Sequence, residues 1–269
     1  MRTSRSSGLA MNELGPVLAI AQRDLMKLLR DRPRLITTLV SPLLLIGVLG
    51  GSLQANLGRS VGFNFLAYTF TGVLGMTLFQ SSAQGVISLI NDRENDFSQE
   101  MFVSPVSRYS IVFGKILGES LVALPQGLAI VTFAFIVGIR ASALQLAALA
   151  LAAVLVCLLG GAFGVLVLSN LSGQQMAGQI FTFVMLPQYF LAGIFNPIKV
   201  LPPYLEILSR ISPMRYAVDL ARGAFYAGRP ESARVVLDSP ILDLAAIGGM
   251  FAVFLVVGTA LFVRSERNR

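Results

Sequence analysis

The chain has 269 residues, 55% of them hydrophobic and only 13% charged, where an average soluble domain carries about 25% charged residues; with a mean hydropathy of +0.73, this excludes a soluble globular protein. The net charge of +7 is spread over the N-terminal tail, one later segment and the C-terminal tip instead of one polar domain, which argues against a nucleic-acid binder. Histidine is absent and the single cysteine, Cys157, lies inside a hydrophobic run, so no disulfide forms within the chain. The ligand types that dominate zinc and copper sites are missing, which excludes a metal-dependent intramembrane protease; no metal ligand and no catalytic residue is expected.

Residues 1–11 are polar and read as a disordered tail. Over residues 12–34 the pattern changes: Leu14, Val17, Leu18, Ala21, Leu25 and Leu28 recur at three- and four-residue steps, with Arg23, Lys27 and Arg30 on the opposite side. That spacing predicts an amphipathic helix lying in the membrane interface, its cations toward lipid phosphates or a partner. The alternative is a helix packed on its own protein.

From residue 35 onward charges nearly vanish. Arg59 is the only one between 35 and 91, and there is none from 141 to 198. A bilayer core about 30 Å thick takes about 20 apolar residues per helical span, so these stretches must cross repeatedly. Six spans are predicted, at 35–53, 63–90, 111–139, 143–169, 176–195 and 241–263. The first has no small-residue cleavage pattern behind it and is read as a span, not a signal peptide. The seven Lys and Arg of the first 34 residues place that end in the cytoplasm. An even number of spans returns Arg264, Arg267 and Arg269 to the same side.

Between the second and third spans, residues 91–108 form a cytoplasmic loop of unusual composition. Asp92, Arg93, Glu94, Asp96 and Glu100 are charged; the apolar group Met101, Phe102 and Val103 follows, stopped by Ser104 and Pro105. A bare linker needs none of this, and the loop is expected to touch a partner. One helical turn into the third span, Lys115 and Glu119 are spaced as an ion pair. They are read as structural, at the cytoplasmic boundary, in preference to a proton or substrate site.

The segment 171–175 reads LSGQQ, close to the signature of ATP-binding-cassette ATPases, but it fills a short turn. No phosphate loop of the G-x-x-x-x-G-K-[ST] kind occurs in the chain, so this chain is not expected to hydrolyse ATP. Aromatic residues gather in the second and fifth spans. Phe65, Tyr68, Phe79, Phe181, Tyr189 and Phe190 are candidates for lining an apolar path between two copies, with ordinary packing as the alternative. Glycines at 72, 75, 160, 161, 178 and 193 offer close helix approach, and Pro125 and Pro187 are placed to kink their spans.

Residues 196–240 should be external, yet they contain Lys199, Arg210, Arg215, Arg222, Arg229 and Arg234. Two short amphipathic helices dipping into the outer leaflet would satisfy these charges internally. Pro202 and Pro203 open the first. Ser212 and Pro213 form an N-cap and first-turn pair for the second, in which Arg215, Asp219 and Arg222 are spaced to pair along one side. The alternative is that one earlier run does not span, which would make this region cytoplasmic.

These pieces together resemble the ABC type-2 permease family. The resemblance covers nearly the whole chain after Asn12 and rests on Asp92-Arg93-Glu94 with Phe102 to Val106, then Gly114 to Leu117, and on Leu201-Pro202-Pro203 with Ile211 to Ala217. The nearest branch is that of drug and antibiotic exporter permeases such as the daunorubicin-resistance type. The resemblance implies an all-α polytopic membrane protein of the bacterial cytoplasmic membrane, with both termini cytoplasmic and a six-span domain over residues 35–269. It implies an interfacial helix at 12–34 and external re-entrant helices within 196–240. The loop 91–108 would carry a coupling helix seated in a separate ATPase, with Arg93, Glu94 and Glu100 as charged contacts and Phe102, Val103, Ser104 and Pro105 as the apolar knob. The partners implied are two ATPase subunits, which bind the ATP and magnesium, and a second permease, identical or related. The cargo would be hydrophobic or amphiphilic: a drug, lipid or glycoconjugate. The rival readings are an ion-coupled secondary transporter, which needs ionisable residues at mid-membrane, and a membrane-embedded lipid-processing enzyme.

Overall fold

A computed structural model describes residues 15, 19, 21–26, 30–87, 90, 108–168, 171, 173–195, 197, 198 and 201–267. The expected tail at 1–11 and nearly all of the loop at 91–108 lie outside them. The described chain is helical throughout, with no strand among its residues.

Helix α1 (Arg32–Leu44) runs through a π-helical stretch (Leu45–Gly50) into α2 (Gly51–Val61) without a break. The junction residues Leu44, Gly50 and Gly51 all keep right-handed helical dihedrals, so the three pieces form one rod, longer than the predicted span at both ends. It stops at Gly62, whose φ of 73° a residue with a Cβ adopts only at a cost.

Helix α3 (Phe65–Gly85) follows at once. The Asn64 side chain caps it by accepting from the Ala67 amide at 3.0 Å, and Gln54 Oε1 accepts from the Phe65 amide at 2.6 Å. The chain continues through α4 (Arg108–Ile136), α5 (Ala143–Leu168), α6 (Gln174–Leu191), α7 (Pro203–Ser209), α8 (Pro213–Tyr226), α9 (Ser232–Val235) and α10 (Pro240–Arg267). Helix α5 opens on a capping box: Ser142 Oγ accepts from the Gln145 amide and Gln145 Oε1 from the Ser142 amide.

Among the described residues, six long helical stretches therefore stand where six hydrophobic runs were read. Four stretches of them, Ile36–Asn56, Ser110–Ile136, Ala143–Leu168 and Pro240–Arg264, are long and apolar enough to cross a membrane by length and composition. Helices α3 and α6 are more polar, carrying between them Thr69, Thr71, Thr77, Gln80, Gln84, Gln179, Thr182 and Gln188. For α3 the packing gives the reason. It is buried along nearly its whole length, so its surroundings are protein rather than solvent or lipid.

Helix α3 is the axis of the bundle, touching α4, α5, α8 and the first rod. Its approach to α5 is backbone against backbone. A Cβ on Gly160 would collide with the Phe79 carbonyl, and one on Gly164 with that of Ala83. Gly160-x-x-x-Gly164 thus presents a flat strip to α3, as small residues do between membrane helices. On another side of α3, a Cβ at Gly75 would come within 3.0 Å of Val218 Cα in α8. Around this axis the buried aromatics pack in tilted and edge contacts, Phe79 on Phe163 and Phe70 on Phe225.

Helix α8 departs from expectation. Its apolar residues Met214, Ala217, Val218, Ala221 and Phe225 are buried as expected, but so are Arg215, Asp219 and Arg222. It does not dip a single face into surrounding lipid; α3, α5 and α10 enclose it. The short α7 is the exposed one, with Tyr204 and Ile207 about two-thirds accessible, at 64% and 63%.

Candidate functional site

At one end of the bundle, Lys115 of α4 is buried with two carboxylates. Its Nζ lies 2.6 Å from Asp24 Oδ2 and 2.7 Å from Glu119 Oε1. The expected Lys115–Glu119 pair is present. Asp24, on the N-terminal helical segment, is a partner that sequence reading missed. It sits three residues after Ala21, on the stripe that packs inward: Ala21 and Asp24 are buried. The fit is close, because a Cβ on Gly118 would come within 3.1 Å of Ala21 Cα and 3.3 Å of Asp24 Oδ2, and one on Gly85 would overlap the Glu119 carboxylate. Arg23, by contrast, is partly exposed and pairs with Asp24 from the side at 3.2 Å, while Arg30 is exposed. With Lys115 buried between two carboxylates and Arg23 at its edge, this cluster clamps the N-terminal segment to the start of α4, immediately after residues 91–107.

The opposite end gathers the turns at 62–64 and 137–142, the end of α6 and the segment 201–240. Arg234 donates to the Gly62 carbonyl at 3.2 Å; Arg229 reaches the Arg140 carbonyl; Gln145 donates to the Ala227 carbonyl at 2.9 Å. The expected ladder of Arg215, Asp219 and Arg222 does not form. Each finds its partners off this helix. Arg222 lies with its guanidinium 3.8 Å from the Tyr68 ring centroid and donates to the Gly193 carbonyl at 2.6 Å, which also accepts the Tyr68 hydroxyl at 2.6 Å. Arg215 pairs with Asp238 at 3.1 Å and donates to Ser209 Oγ at 2.5 Å. Asp219 accepts from the backbone amides of Leu237 and Asp238. Burial pushes its carboxyl above the usual carboxylate range, against the opposing pull of those amides and of Arg222. Ser212 begins α8 as expected, but its hydroxyl makes no cap; it donates to Gln188 Oε1 of α6 at 3.3 Å.

Between these ends two clefts open. An apolar one of about 450 Å³ lies between α4 and α5, lined by Leu124, Leu128, Val131, Phe135, Leu146 and Val154 among others. The second, about 190 Å³, is polar. Thr37, Thr38 and Ser41 of α1 face Thr77, Gln80, Ser81 and Gln84 of α3, with Gln126 of α4. Thr77 Oγ1 is buried without a hydrogen-bond partner among the described residues. A row of hydroxyls and amides on otherwise apolar helices is suited to a polar group, because in lipid such side chains need partners.

The aromatic candidates fall on both sides of the protein surface. Phe65, Tyr68, Phe79 and Phe181 are buried inside this chain, Tyr189 is half-buried, and Phe190 is 63% exposed. Phe63, Phe65 and Tyr68 pack on one another at 4.9–6.1 Å. Arg93, Glu94, Glu100, Phe102, Val103, Ser104 and Pro105 lie outside the described residues, as does Lys27. The polar cleft carried no sequence signal of its own, since its members are scattered over three helices and become a row only when those helices meet.

Comparison with known proteins gives a consistent result. Residues 16–226 match the family described as ABC-2 type transporter. A putative transport permease, ycf38, of Cyanophora paradoxa is 25% identical over 210 residues, covering 77% of this chain and 72% of the relative. The probable multidrug ABC transporter permease YbhR of Escherichia coli strain K12 is 30% identical over 173 residues, 62% of this chain and 45% of the relative. The inner membrane transport permease YadH of the same strain is 25% identical over 198 residues, 71% and 76% of the two chains.

Proposed function

The chain belongs to the ABC-2 type transporter family, and from that premise we propose that it is the permease subunit of an ATP-driven exporter in the bacterial cytoplasmic membrane, crossing it six times with both termini inside. It works with two separate ATPase subunits, which hold ATP and magnesium and carry out the hydrolysis, and with a second permease. The cargo is amphiphilic. The observation that carries this last point is the polar cleft of α1, α3 and α4 beside apolar helix surfaces: hydroxyls and amides for a head group, lipid-facing hydrocarbon for a tail.

In this reading residues 91–108 receive the ATPase, with Arg93, Glu94 and Glu100 as charged contacts and Phe102, Val103, Ser104 and Pro105 as the apolar knob. The buried cluster then has a mechanical role. Lys115 lies two turns into the helix that follows the coupling segment, and Asp24 and Glu119 fix that turn to the N-terminal helix and to α3. A push on 91–108 therefore moves α4, the N-terminal helix and one wall of the polar cleft as a unit, switching the path between closed and open. Among the aromatic candidates, Phe190, which is 63% exposed and touches Phe195 edge-on, is the one placed to meet a second copy or a cargo.

The test is reconstitution of the permease with its cognate ATPase. Glu100→Arg and Phe102→Arg should each abolish stimulation of ATP hydrolysis by cargo while leaving the permease folded. Intact coupled transport in both variants would refute the coupling assignment.

A further inference from the structure

We propose that Asp219, Asp238 and Asp243 form a binding site for a divalent cation of the calcium type. The three residues come from different places: Asp219 from the middle of α8, Asp238 from the loop after α9, and Asp243 from the first turn of α10. Each offers a carboxylate oxygen, and these oxygens lie within 4.8 Å of one another. Oxygens around a bound calcium ion stand 2.3–2.6 Å from it, and so at most about 5 Å apart across the ion.

A cluster of acids alone would mean little; Asp243 supplies the second observation. It is 1% exposed, and neither of its carboxylate oxygens has a hydrogen-bond partner among the described residues. A buried carboxylate without a partner is costly, and either a bound cation or a proton must relieve it. The nearest protein cation does not serve. Arg215 spends its terminal nitrogens on Asp238 Oδ2 and Ser209 Oγ, and it reaches neither oxygen of Asp243. Asp219 is held by the Leu237 and Asp238 amides, which fixes its oxygens and still leaves Oδ1 a lone pair for an ion.

The chemistry selects the ion. The donors are all oxygen, with no imidazole or thiolate, which suits a hard cation. They come from two helices and a loop rather than from one continuous ligand loop, an irregular set that suits calcium better than magnesium with its strict octahedron. Asp238 is partly exposed, with 27% of its side chain accessible, so the site has a way in and room for water to complete the shell. Occupied, it would lock α8 to the start of α10.

The experiment uses the full-length protein, purified, stripped with EDTA and placed in nanodiscs of uncharged lipid. Calcium binding is measured with radioactive calcium, and thermal unfolding is followed with and without it. The expected result is one calcium per chain at millimolar calcium, a rise in Tm that magnesium does not reproduce, and at least about tenfold weaker binding in Asp243→Asn. Without calcium, Asp243→Asn should melt no lower than the parent, because it removes an unpaired buried charge. Asp238→Asn, on the more exposed ligand, supplies the same reading if Asp243→Asn does not fold. A parent protein that binds no calcium, or variants that bind it as well as the parent, would overturn the site and leave a proton on Asp243 as the alternative.

Discussion

The Arg222 guanidinium rests 3.8 Å from the centre of the Tyr68 ring, and both side chains donate to the same Gly193 carbonyl. Three elements distant in sequence, α3, the end of α6 and α8, meet at that oxygen. Arg222 is 1% exposed and Tyr68 fully buried, so the contact is desolvated and stronger than a surface one.

Arg222→Ala should therefore cost about 2–4 kcal/mol, seen as a lower Tm of the purified protein and a smaller folded yield. Tyr68→Phe keeps the ring under the cation and loses one hydrogen bond, about 1 kcal/mol. Arg222→Lys should fall between them, because an ammonium cannot both stack and reach as a planar guanidinium does. Equal losses for all three would show that the stacking is not what holds α8.

The Lys115 cluster makes a different prediction, about one segment instead of the whole. Lys115→Met removes the buried cation that Asp24 and Glu119 share, leaving Asp24 only its side-on pairing with Arg23, and should cost about 3–5 kcal/mol. Asp24→Asn leaves a neutral Lys115–Glu119 pair and should be milder. Its effect should be local, a faster tryptic cut near Arg23 and Arg30 as the N-terminal helix leaves α4. An unchanged cutting rate in Asp24→Asn would mean that apolar packing alone seats that helix.

Glycine substitutions separate packing from propensity. Gly160→Val must displace the backbone of α3 at Phe79, which has nowhere flexible to go, so assembly of the bundle should fail and folded yield collapse. Gly178, inside α6, has open space where a Cβ would stand. Gly178→Ala should be neutral or stabilising by up to about 1 kcal/mol. A tolerated Gly160→Val would contradict the close contact of α3 and α5.

Topology is checked with single cysteines at Ser98 and at Arg210, whose side chain is 64% exposed, in a background where the buried Cys157 is replaced. A membrane-impermeant thiol reagent should label Arg210→Cys from outside intact cells and Ser98→Cys only after lysis. Labelling of both from the same side would rule out six spans.

The long helices were legible because hydrocarbon imposes a harsh rule: about 20 residues without charge are hard to hide. Local signals also read well where their partners were local, as in the Lys115–Glu119 spacing and the start of α8 at Pro213. What failed was the assignment of partners. Spacing placed Arg215, Asp219 and Arg222 together along one helix, but helix geometry permits a pair without requiring it. Buried, each residue took the partner that best replaced its water: Asp238, the amides at 237 and 238, and Tyr68 with Gly193. Asp24 was hidden for the same reason, since its cation lies 91 positions away. Aromatic clustering could not tell an interior from a path, and four of the six candidates proved interior.

The burial of α8 has a consequence for the order in which the protein is made. Helix α3 carries Thr69, Thr71 and Thr77 on surfaces that are covered in the finished structure, and α8 closes one of those surfaces. Yet the ribosome completes Gly85 long before it reaches Pro213, an interval on the order of ten seconds of synthesis. Through that time the nascent α3 lacks its cover, and Gly75 has no Val218 to meet. A chain truncated before residue 213 would keep every strongly apolar helix except the last, and still leave its central helix without the cover that α8 supplies.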